Sequence, residues 1–345
     1  MIKLFTHTDL DGVGCAILAK LAFEDDVDIE YCGYDDIDDK VDEFVRSSAI
    51  EKFNNVYITD ISIKDNRLIK TIDMLYPDKI RLFDHHKTAE YLNEYSWAYV
   101  SEFDGELGFK TCGTELFYKH LMEFEYLKDT ERYRTFVWAV TAYDTWNWKS
   151  MKPEEGKIIK ELNDLLYILG RDEFVARCIR RRKVKGDDSM IVASKDERLI
   201  LDKRQKEIDD YIKSKDYQMH IVRTINMNVG VVFADRFISE LGNNLCEKYI
   251  NDIDCIAIID IGLGKVSYRS VKDDMDVGKL AKSLGGGGHK SASGFIVDES
   301  IRERNITDIF YSLHASGYIY RPHVKEEATE EPKKKSWFGR SKKKK

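Results

Sequence analysis

The first 150 residues alternate short apolar runs with longer amphipathic stretches, and this alternation is the feature that most constrains the fold. The short runs are candidate strands, and apolar spacings of three and four in the longer stretches predict helices. Strands that alternate with helices indicate βαβ units, a mostly parallel sheet and helices on both of its faces. The predicted strands are Ile2–Thr6, Asp28–Gly33, Val56–Ile61 and Ile80–Phe83, and the predicted helices are Val13–Phe23, Val41–Phe53, Lys64–Tyr76, Gly113–Phe124 and Thr130–Tyr143.

The pattern changes after residue 150. Residues 151–216 predict helices without a convincing strand, and the charged stretch Glu197–Lys213 predicts a long, half-exposed connecting helix. Strand signals return further on, at His220–Val222, Val229–Phe233, Cys255–Ile261 and Lys265–Ser270. We therefore predict an N-terminal α/β domain over 1–150, a helical linker over 151–216, a smaller α/β domain over 217–321 and a charged, disordered tail over 322–345.

The composition is that of an ordinary globular protein. Hydrophobic residues make up 43% and charged residues 34% of the 345 residues, which excludes a mainly disordered chain. No apolar run has the length of about 18 residues that a membrane span needs. The strand signal at the N-terminus leaves no room for a signal peptide. The six cysteines are scattered without metal-type spacing, so we interpret them as reduced thiols and expect a cytoplasmic protein.

Histidines and aspartates follow three of the predicted strands. The first strand runs into HTDLDG, the third into TD and the fourth into DHH, and one further aspartate ends a predicted helix. The carboxyl ends of parallel strands meet at one edge of a sheet, where ligands bind. A single aspartate at a strand end is usually a helix cap or a turn residue, but the joint occurrence favours a site. The candidates are His7, Asp9, Asp11, Asp60, Asp84, His85, His86 and Asp144.

These residue types predict a site for divalent cations. Three or four crowded carboxylates repel one another unless cations neutralise them. Imidazoles and carboxylates without a thiolate favour Mn²⁺ or Mg²⁺. Two ions that share a carboxylate, about 3.5–4 Å apart, can generate hydroxide and hold a phosphoryl group. The residues alone therefore predict a dinuclear phosphoesterase.

The order of the motifs HTDLDG, TDIS, FDHH and a later aspartate resembles the DHH phosphoesterase superfamily. The second domain agrees, because SYRS at 267–270, DVGKLA at 276–281 and GGGGHKSASG at 285–294 resemble the DHHA1 substrate-binding domain. The resemblance covers about residues 1–320 and leaves out the tail. Within the superfamily, FDHHKTAEYLN and GGGGHKSASGF are most similar to the nanoRNase B type of oligoribonuclease.

The resemblance implies a role for each candidate. One of two Mn²⁺ ions, or Mg²⁺ in their place, would be held by His7, Asp9 and Asp60, and the other by Asp11, Asp60, His85 and Asp144. His86 would be the general acid or a donor to the transition-state oxygen, and Asp84 would orient a histidine ring. A glycine run lets backbone N–H groups approach a phosphate, although alone it is more often a flexible turn. The implied substrate-binding residues are Arg269, Ser270, Gly286, Gly287, Gly288 and His289.

The resemblance implies a metal-dependent exonuclease that hydrolyses short oligoribonucleotides to nucleoside monophosphates. The alternatives left open are an adenosine bisphosphate phosphatase, a linear or cyclic dinucleotide phosphodiesterase, and a non-enzymatic nucleotide-binding module. Tyr143, Trp146 and Trp148 flank Asp144 and would either stack a terminal base or belong to the core. The expected partner is short single-stranded RNA or a dinucleotide. A homodimer and a weak contact of the basic tail with RNA or an anionic membrane are open.

The net charge of −7 is unevenly distributed. Residues 322–345 contain nine basic and four acidic residues, so residues 1–321 carry −12. Proteins that bind a long nucleic acid usually carry basic side chains along the bound strand. Residues 1–321 are too acidic to offer such a surface, and they suit a short polyanionic substrate better. The run Arg180–Lys183 is the nearest to such a surface, and its alternative is a solvated helix face.

Overall fold

In the computed structural model, which describes residues 1–103, 109–301 and 303–304, the first half of the chain forms the predicted parallel sheet. All strand pairs in it are parallel, and the order is β2-β1-β3-β4-β5. The four predicted strands are confirmed, and the three-residue β5 is too short for a periodicity signal. The strands are β1 (Ile2–Thr6), β2 (Val27–Tyr31), β3 (Asn55–Thr59), β4 (Ile80–Asp84) and β5 (Ala98–Val100).

Helices cover both faces of this sheet and create two hydrophobic clusters. Successive residues of β1, Leu4 and Phe5, are both fully buried, yet they belong to opposite clusters. Burial on both faces explains why the strands are continuous apolar runs rather than alternating ones. The helices are α1 (Leu10–Phe23), α2 (Ile37–Arg46), α3 (Asn66–Leu75), α4 (Gly113–Glu123), α5 (Glu131–Asp144), α6 (Pro153–Leu169) and α7 (Arg171–Arg181).

The region predicted as a helical linker is helical. Leu162 of α6 and Phe174 of α7 are fully buried in the same cluster as Leu4. The next helix, α8, spans Lys195–Gln218. The chain divides into two units, Met1–Gln205 and Lys206–Lys345, and the division falls inside α8. The domain limits that we placed at 150 and 216 stay predictions.

The second unit contains a mixed sheet in the order β10-β11-β9-β8-β7-β6. Only β7 and β8 pair in parallel among the strands described there. The four predicted strands are confirmed, whereas β10, β11 and α9 carried no clear signal because their sequences are rich in glycine, serine and asparagine. The elements are β6 (His220–Arg223), β7 (Asn228–Phe233), α9 (Ile238–Lys248), β8 (Cys255–Asp260), β9 (Lys265–Arg269), α10 (Val277–Ser283), β10 (Gly287–Gly288) and β11 (Ala292–Ile296).

The last part of the predicted second domain, 305–321, and the predicted tail, 322–345, lie outside the described residues. Among the helices that the structure describes, none combines the length and the apolar character needed to cross a membrane.

Candidate metal centre

The carboxyl ends of β1, β3 and β4 bring the predicted residues to one edge of the first sheet. The strand order changes direction between β1 and β3, and ligands bind at such switch points of open parallel sheets. Thr6, the last residue of β1, pairs with Thr59, the last residue of β3, and Asp84 ends β4 next to them. His7 and Asp60 therefore leave the sheet side by side.

Two glycines allow the close approaches that build this edge. The Asp9 carboxylate accepts a hydrogen bond from the Gly12 N–H (3.1 Å) and caps α1. A Cβ at Gly12 would lie 2.3 Å from the carbonyl oxygen of His7. A Cβ at Gly113, the first residue of α4, would lie 2.6 Å from Cβ of Asp60. Only glycine fits at either position.

Asp11 is buried against the beginning of α4. Its two carboxylate oxygens accept the N–H groups of Gly113 and Thr114, both at 2.7 Å. The Thr114 hydroxyl donates to the Asp11 carbonyl oxygen (2.6 Å). The positive end of a helix dipole stabilises an anion at this position. The carboxylate is thus oriented by a helix that lies about 100 residues further along the chain.

Asp60 stands between two groups of side chains. It is 1% exposed and adopts a left-handed backbone conformation with φ +57°, which is uncommon for a residue other than glycine. Its Oδ1 lies 3.4 Å from His85 Nε2, and its Oδ2 lies 3.7 Å from His7 Nδ1. Asp60 Oδ2 and His7 Nδ1 are buried without a hydrogen-bond partner. Two facing buried polar atoms without a hydrogen-bond partner are the arrangement expected where a cation binds.

The predicted ligands form two groups around Asp60. His7 Nδ1 lies 2.9 Å from Asp9 Oδ2, without hydrogen-bond geometry, and His85 Nε2 lies 3.6 Å from Asp144 Oδ2 and 3.7 Å from Asp11 Oδ2. Within each group the donor atoms lie within 4.8 Å of one another. One group is His7, Asp9 and Asp60, and the other is Asp11, His85 and Asp144. A third group, which overlaps both, consists of Asp60, Asp84, His85 and His86.

Asp84 and His86 form a hydrogen-bonded pair beside these groups. Asp84 is 1% exposed and accepts the N–H of His85 (2.8 Å), the ring Nδ1–H of His86 (2.7 Å) and the hydroxyl of Ser62. Burial opposes ionisation of Asp84, but these contacts outweigh it and lower its pKa. The pKa of His86 is raised despite burial, because of Asp84. On its other side, His86 Nε2 lies 3.1 Å from the hydroxyl of Tyr34.

Sequence reasoning missed Ser62, Thr114 and Tyr34. Ser62 lies inside the quoted TDIS motif, so the motif pointed to it. Tyr34 follows β2, and the rule that strand ends meet at one edge would have found it had the second strand been treated like the others. Nothing in the sequence near Thr114 indicates its contact with Asp11.

The three aromatic residues around Asp144 divide between core and surface. Tyr143 and Trp148 pack against the larger hydrophobic cluster, and their rings stack at 6.0 Å. Trp146 is 53% exposed, stacks on Trp148 at 6.4 Å, and adopts φ +63° just after the end of α5. The Lys149 ammonium lies 4.9 Å from its ring centroid. Glycine is the usual residue at this position, so tryptophan there bears a backbone cost.

In the second unit, Arg269 ends β9 and is held by α9. Its guanidinium donates to the Tyr268 carbonyl (2.8 Å) and to the Ser239 hydroxyl (3.2 Å). A Cβ at Gly242 of α9 would lie 2.6 Å from Arg269 Cγ, so the helix packs directly on the arginine stem. Ser270 is buried, and its hydroxyl donates to the carbonyl of residue 254 (2.7 Å).

The glycine run is the connection between α10 and the β10–β11 hairpin, with His289 exposed in its turn. A Cβ at Gly286 would lie 2.2 Å from the carbonyl oxygen of residue 294, and Gly288 has φ +136°. Local packing therefore requires glycine at both positions. Gly287 differs, because a Cβ there would meet nothing within 4 Å.

Comparison with known proteins agrees with this arrangement. The family model of the DHHA1 domain matches residues 228–314. Over 313 residues the chain is 35% identical to oligoribonuclease NrnB of Bacillus subtilis strain 168, a match that covers 90% of this chain and 76% of that protein. The chain belongs to the DHH/DHHA1 phosphoesterase family. Its resemblance to the nanoRNase B type is confirmed by the same match.

Two solved structures share the fold of this DHH/DHHA1 chain. RecJ from Thermus thermophilus, in complex with Mn²⁺, has a TM-score of 0.53 and 17% identity, and the match covers 92% of this chain and 52% of that one. A second exonuclease RecJ, bound to manganese, has a TM-score of 0.53 and 16% identity, and the match covers 91% and 90%. At these identities the likeness shows the fold alone.

The electrostatics of the metal centre in this DHH/DHHA1 chain fit divalent cations. Burial and the charges of Asp11 and Asp9 raise the pKa values of Asp60 and Asp144 well above their usual range. A bound cation would offset this by stabilising the charged form of both carboxylates. Burial lowers the pKa of His85, which keeps its imidazole in the neutral form that binds metals.

A thiol lies beside the centre but belongs to none of its three groups of donor atoms. Cys112 precedes α4, is fully buried, and lies 3.2 Å from the Thr141 hydroxyl. Burial and the charge of Asp11 raise the pKa of Cys112 well above its usual range. The raised pKa favours the protonated thiol, and the donor groups found among the described residues consist of imidazoles and carboxylates, which suit Mn²⁺ and Mg²⁺.

Proposed function

We propose that this phosphodiesterase hydrolyses short oligoribonucleotides to nucleoside monophosphates with two Mn²⁺ ions at the metal centre. Membership of the DHH/DHHA1 family supports the phosphoesterase chemistry. The 35% identity to a protein named oligoribonuclease supports the substrate class. A cytoplasmic location, a homodimer and a contact of the tail with RNA or an anionic membrane stay predictions.

The observation that carries the proposal is the position of Asp60. One of its oxygens faces His85 and the other faces His7, so a single buried carboxylate would bridge two ions. His7 and Asp9 would complete one set of ligands, and Asp11, His85 and Asp144 the other. When bound, the ions supply an activated water and the charge that stabilises the phosphoryl oxygens.

We assign His86 the role of proton donor. Asp84 binds one ring nitrogen and raises the pKa of His86, which favours the protonated ring. That ring would donate to the leaving or non-bridging oxygen of the phosphoester. Asp84 orients the ring and is itself held by the Ser62 hydroxyl.

The second unit would bind the substrate phosphate. Arg269 and His289 would donate to its oxygens, and the backbone at Gly287 and Gly288 would line its path. The open space around Gly287 supports this, because no contact with the described residues explains a glycine there. Gly286 would act only by shaping the loop, because its N–H donates to the carbonyl oxygen of Ala281 (2.8 Å). Ser270 would act indirectly, since its hydroxyl, bound to the carbonyl of residue 254, shapes the chain after Arg269.

A substrate of two to five nucleotides offers few phosphates, which suits the acidic body of the chain. Each phosphate contact with a single strand contributes about −0.7 to the slope of log affinity against log salt. One to four internucleotide phosphates therefore predict a slope of about −0.7 to −2.8 for kcat/KM. A slope several times steeper would indicate a long nucleic acid substrate.

The test is hydrolysis of end-labelled RNA of two to five nucleotides with Mn²⁺, and a comparison of kcat/KM with adenosine 3′,5′-bisphosphate and with linear and cyclic dinucleotides. We expect nucleoside monophosphates as products and the highest kcat/KM for the oligoribonucleotides. Asp60→Ala should be inactive, whereas Asp42→Ala, which removes an aspartate paired with Arg46 on α2, should retain full activity. Oligoribonucleotides left intact by the wild-type protein, or a higher kcat/KM for the bisphosphate, would overturn the proposal.

A further inference from the structure

A tyrosine outside the quoted motifs reaches across the metal centre. Tyr34 lies in the loop after β2, yet its hydroxyl is 3.1 Å from Nε2 of His86, which follows β4. Two strands, β1 and β3, lie between β2 and β4, so the ends of the strands that carry Tyr34 and His86 are about 14 Å apart along the sheet edge. The Tyr34 ring also packs against His7, with centroids 4.9 Å apart. A single side chain therefore touches residues from two different strand ends.

The loop holds Tyr34 in this position. The Gly33 N–H donates to the Asp36 carboxylate (2.7 Å), which closes a turn around Tyr34. The Asp38 carboxylate accepts the N–H of Lys64 (2.7 Å) and so ties the first turn of α2 to the segment after β3. The Lys64 ammonium in turn lies 5.4 Å from the centroid of the Tyr34 ring.

Core packing does not account for this tyrosine. It is 49% exposed, and it belongs to none of the four hydrophobic clusters in the part of the chain that the structure describes. Half of its surface stays in water. The contact with His86 is therefore what explains the position of Tyr34.

We propose that Tyr34 is a positioning residue that, together with Asp84, fixes the ring of His86. Asp84 binds Nδ1 at 2.7 Å and leaves the ring free to pivot about that bond. A second contact at Nε2 fixes the plane of the ring and the direction in which Nε2 points. Without substrate, a neutral ring accepts the Tyr34 O–H at Nε2, and a protonated ring donates its Nε2–H to the Tyr34 oxygen. When substrate binds, the phosphoester oxygen would replace the Tyr34 oxygen as the acceptor of that Nε2–H, so Tyr34 orients the ring before the proton is transferred. This inference rests on the proposed role of His86 in hydrolysis.

The first test compares Tyr34→Phe with a matched control. Tyr34→Phe keeps the ring on His7 and removes only the hydroxyl. Tyr118→Phe removes a hydroxyl that donates to Asp129 (2.8 Å) on a part of α4 away from the centre. With a labelled diribonucleotide and Mn²⁺, loss of one hydrogen bond should lower kcat of Tyr34→Phe about 3- to 10-fold and leave KM within about twofold. Tyr118→Phe should match the wild type. Equal kcat values for all three proteins would overturn the inference.

The second test asks whether Tyr34 acts through His86. In a His86→Ala background, measured with enzyme in excess, adding Tyr34→Phe should change the rate by less than about twofold. The same fall in both backgrounds would show that Tyr34 acts on its own and would overturn the positioning role. Calorimetric titration should give the same Mn²⁺ affinity for Tyr34→Phe and the wild type. Weaker binding by Tyr34→Phe would indicate a general disturbance of the centre and would also overturn the positioning role.

A readout without turnover separates this inference from the proposed function. In ¹⁵N-histidine-labelled, metal-free protein, Tyr34→Phe should shift the ring nitrogen signals of His86, assigned by their loss in His86→Ala, and leave those of His120 unchanged. Unchanged His86 signals would overturn the inference even in an active enzyme. Conversely, a wild-type protein that cleaves bis(p-nitrophenyl) phosphate but no RNA would refute the proposed substrate, and Tyr34→Phe could still be scored on that ester.

Discussion

Asp60→Asn should stabilise the metal-free protein although it abolishes activity. The Asp60 carboxylate is buried, has one oxygen without a hydrogen-bond partner, and has a pKa raised by burial and by its acidic neighbours. Asparagine removes the charge, is nearly isosteric, and tolerates the left-handed backbone conformation. Removing a destabilising charge of this kind from a functional site raises the free energy of unfolding by about 1–2 kcal/mol. For a unit of about 200 residues this corresponds to a rise in Tm of about 3–6 °C.

Asp84→Asn is the matched comparison and should have the opposite effect. Asp84 is equally buried, but it accepts hydrogen bonds from two backbone N–H groups, the His86 ring and the Ser62 hydroxyl. An amide cannot accept from all of these donors, so we expect a loss of about 2–4 kcal/mol. Thermal denaturation followed by circular dichroism at pH 7, with EDTA, measures both variants.

The pH dependence of stability tests whether Asp60→Asn stabilises the protein for the electrostatic reason given. Because the folded-state pKa of Asp60 is raised, its ionisation costs stability as pH rises above the unfolded-state value of about 3.9. The advantage of Asp60→Asn should therefore shrink as pH is lowered from 7 to 4. Added Mn²⁺ at 100 times its Kd should stabilise the wild type by about 2.7 kcal/mol and Asp60→Asn much less. An Asp60→Asn protein that melts at or below the wild-type Tm in EDTA at pH 7 would refute the electrostatic argument.

Two further predictions concern substrate binding. Gly287→Ala should raise KM for oligonucleotides and leave Tm unchanged. Gly286→Ala should lower Tm, because its Cβ would lie 2.2 Å from the carbonyl oxygen of residue 294 in β11. An unchanged KM for Gly287→Ala would show that Gly287 does not contact the substrate phosphate. Trp146→Ala should raise KM about 5- to 100-fold if the exposed ring stacks a base, with no such rise for a dinucleotide that has an abasic end. Trp138→Ala, which removes another exposed tryptophan (45% exposed) on α5, the helix that ends before Trp146, is the control and should bind like the wild type.

Much of the first unit could be predicted from local pattern. The apolar runs of β1, β3 and β4 and the residues after them are contiguous in sequence, so periodicity locates both the strands and the edge at which their side chains meet. The motifs HTDLDG and FDHH therefore led directly to residues that lie within a few ångströms of one another. The same approach failed for β11 and α9, because small and polar residues carry little periodic signal.

The sequence by itself determined the parallel sheet, the residues at its carboxyl edge and the family. The tertiary structure decided how these residues are held: Asp11 by the N-terminus of α4, Asp84 by Ser62, and His86 by Tyr34 from across the sheet. It also decided that Asp60 faces both groups of ligands. The reason is that periodicity reports which face of an element is buried, whereas contacts between distant segments depend on strand order and register, which emerge only when the chain packs.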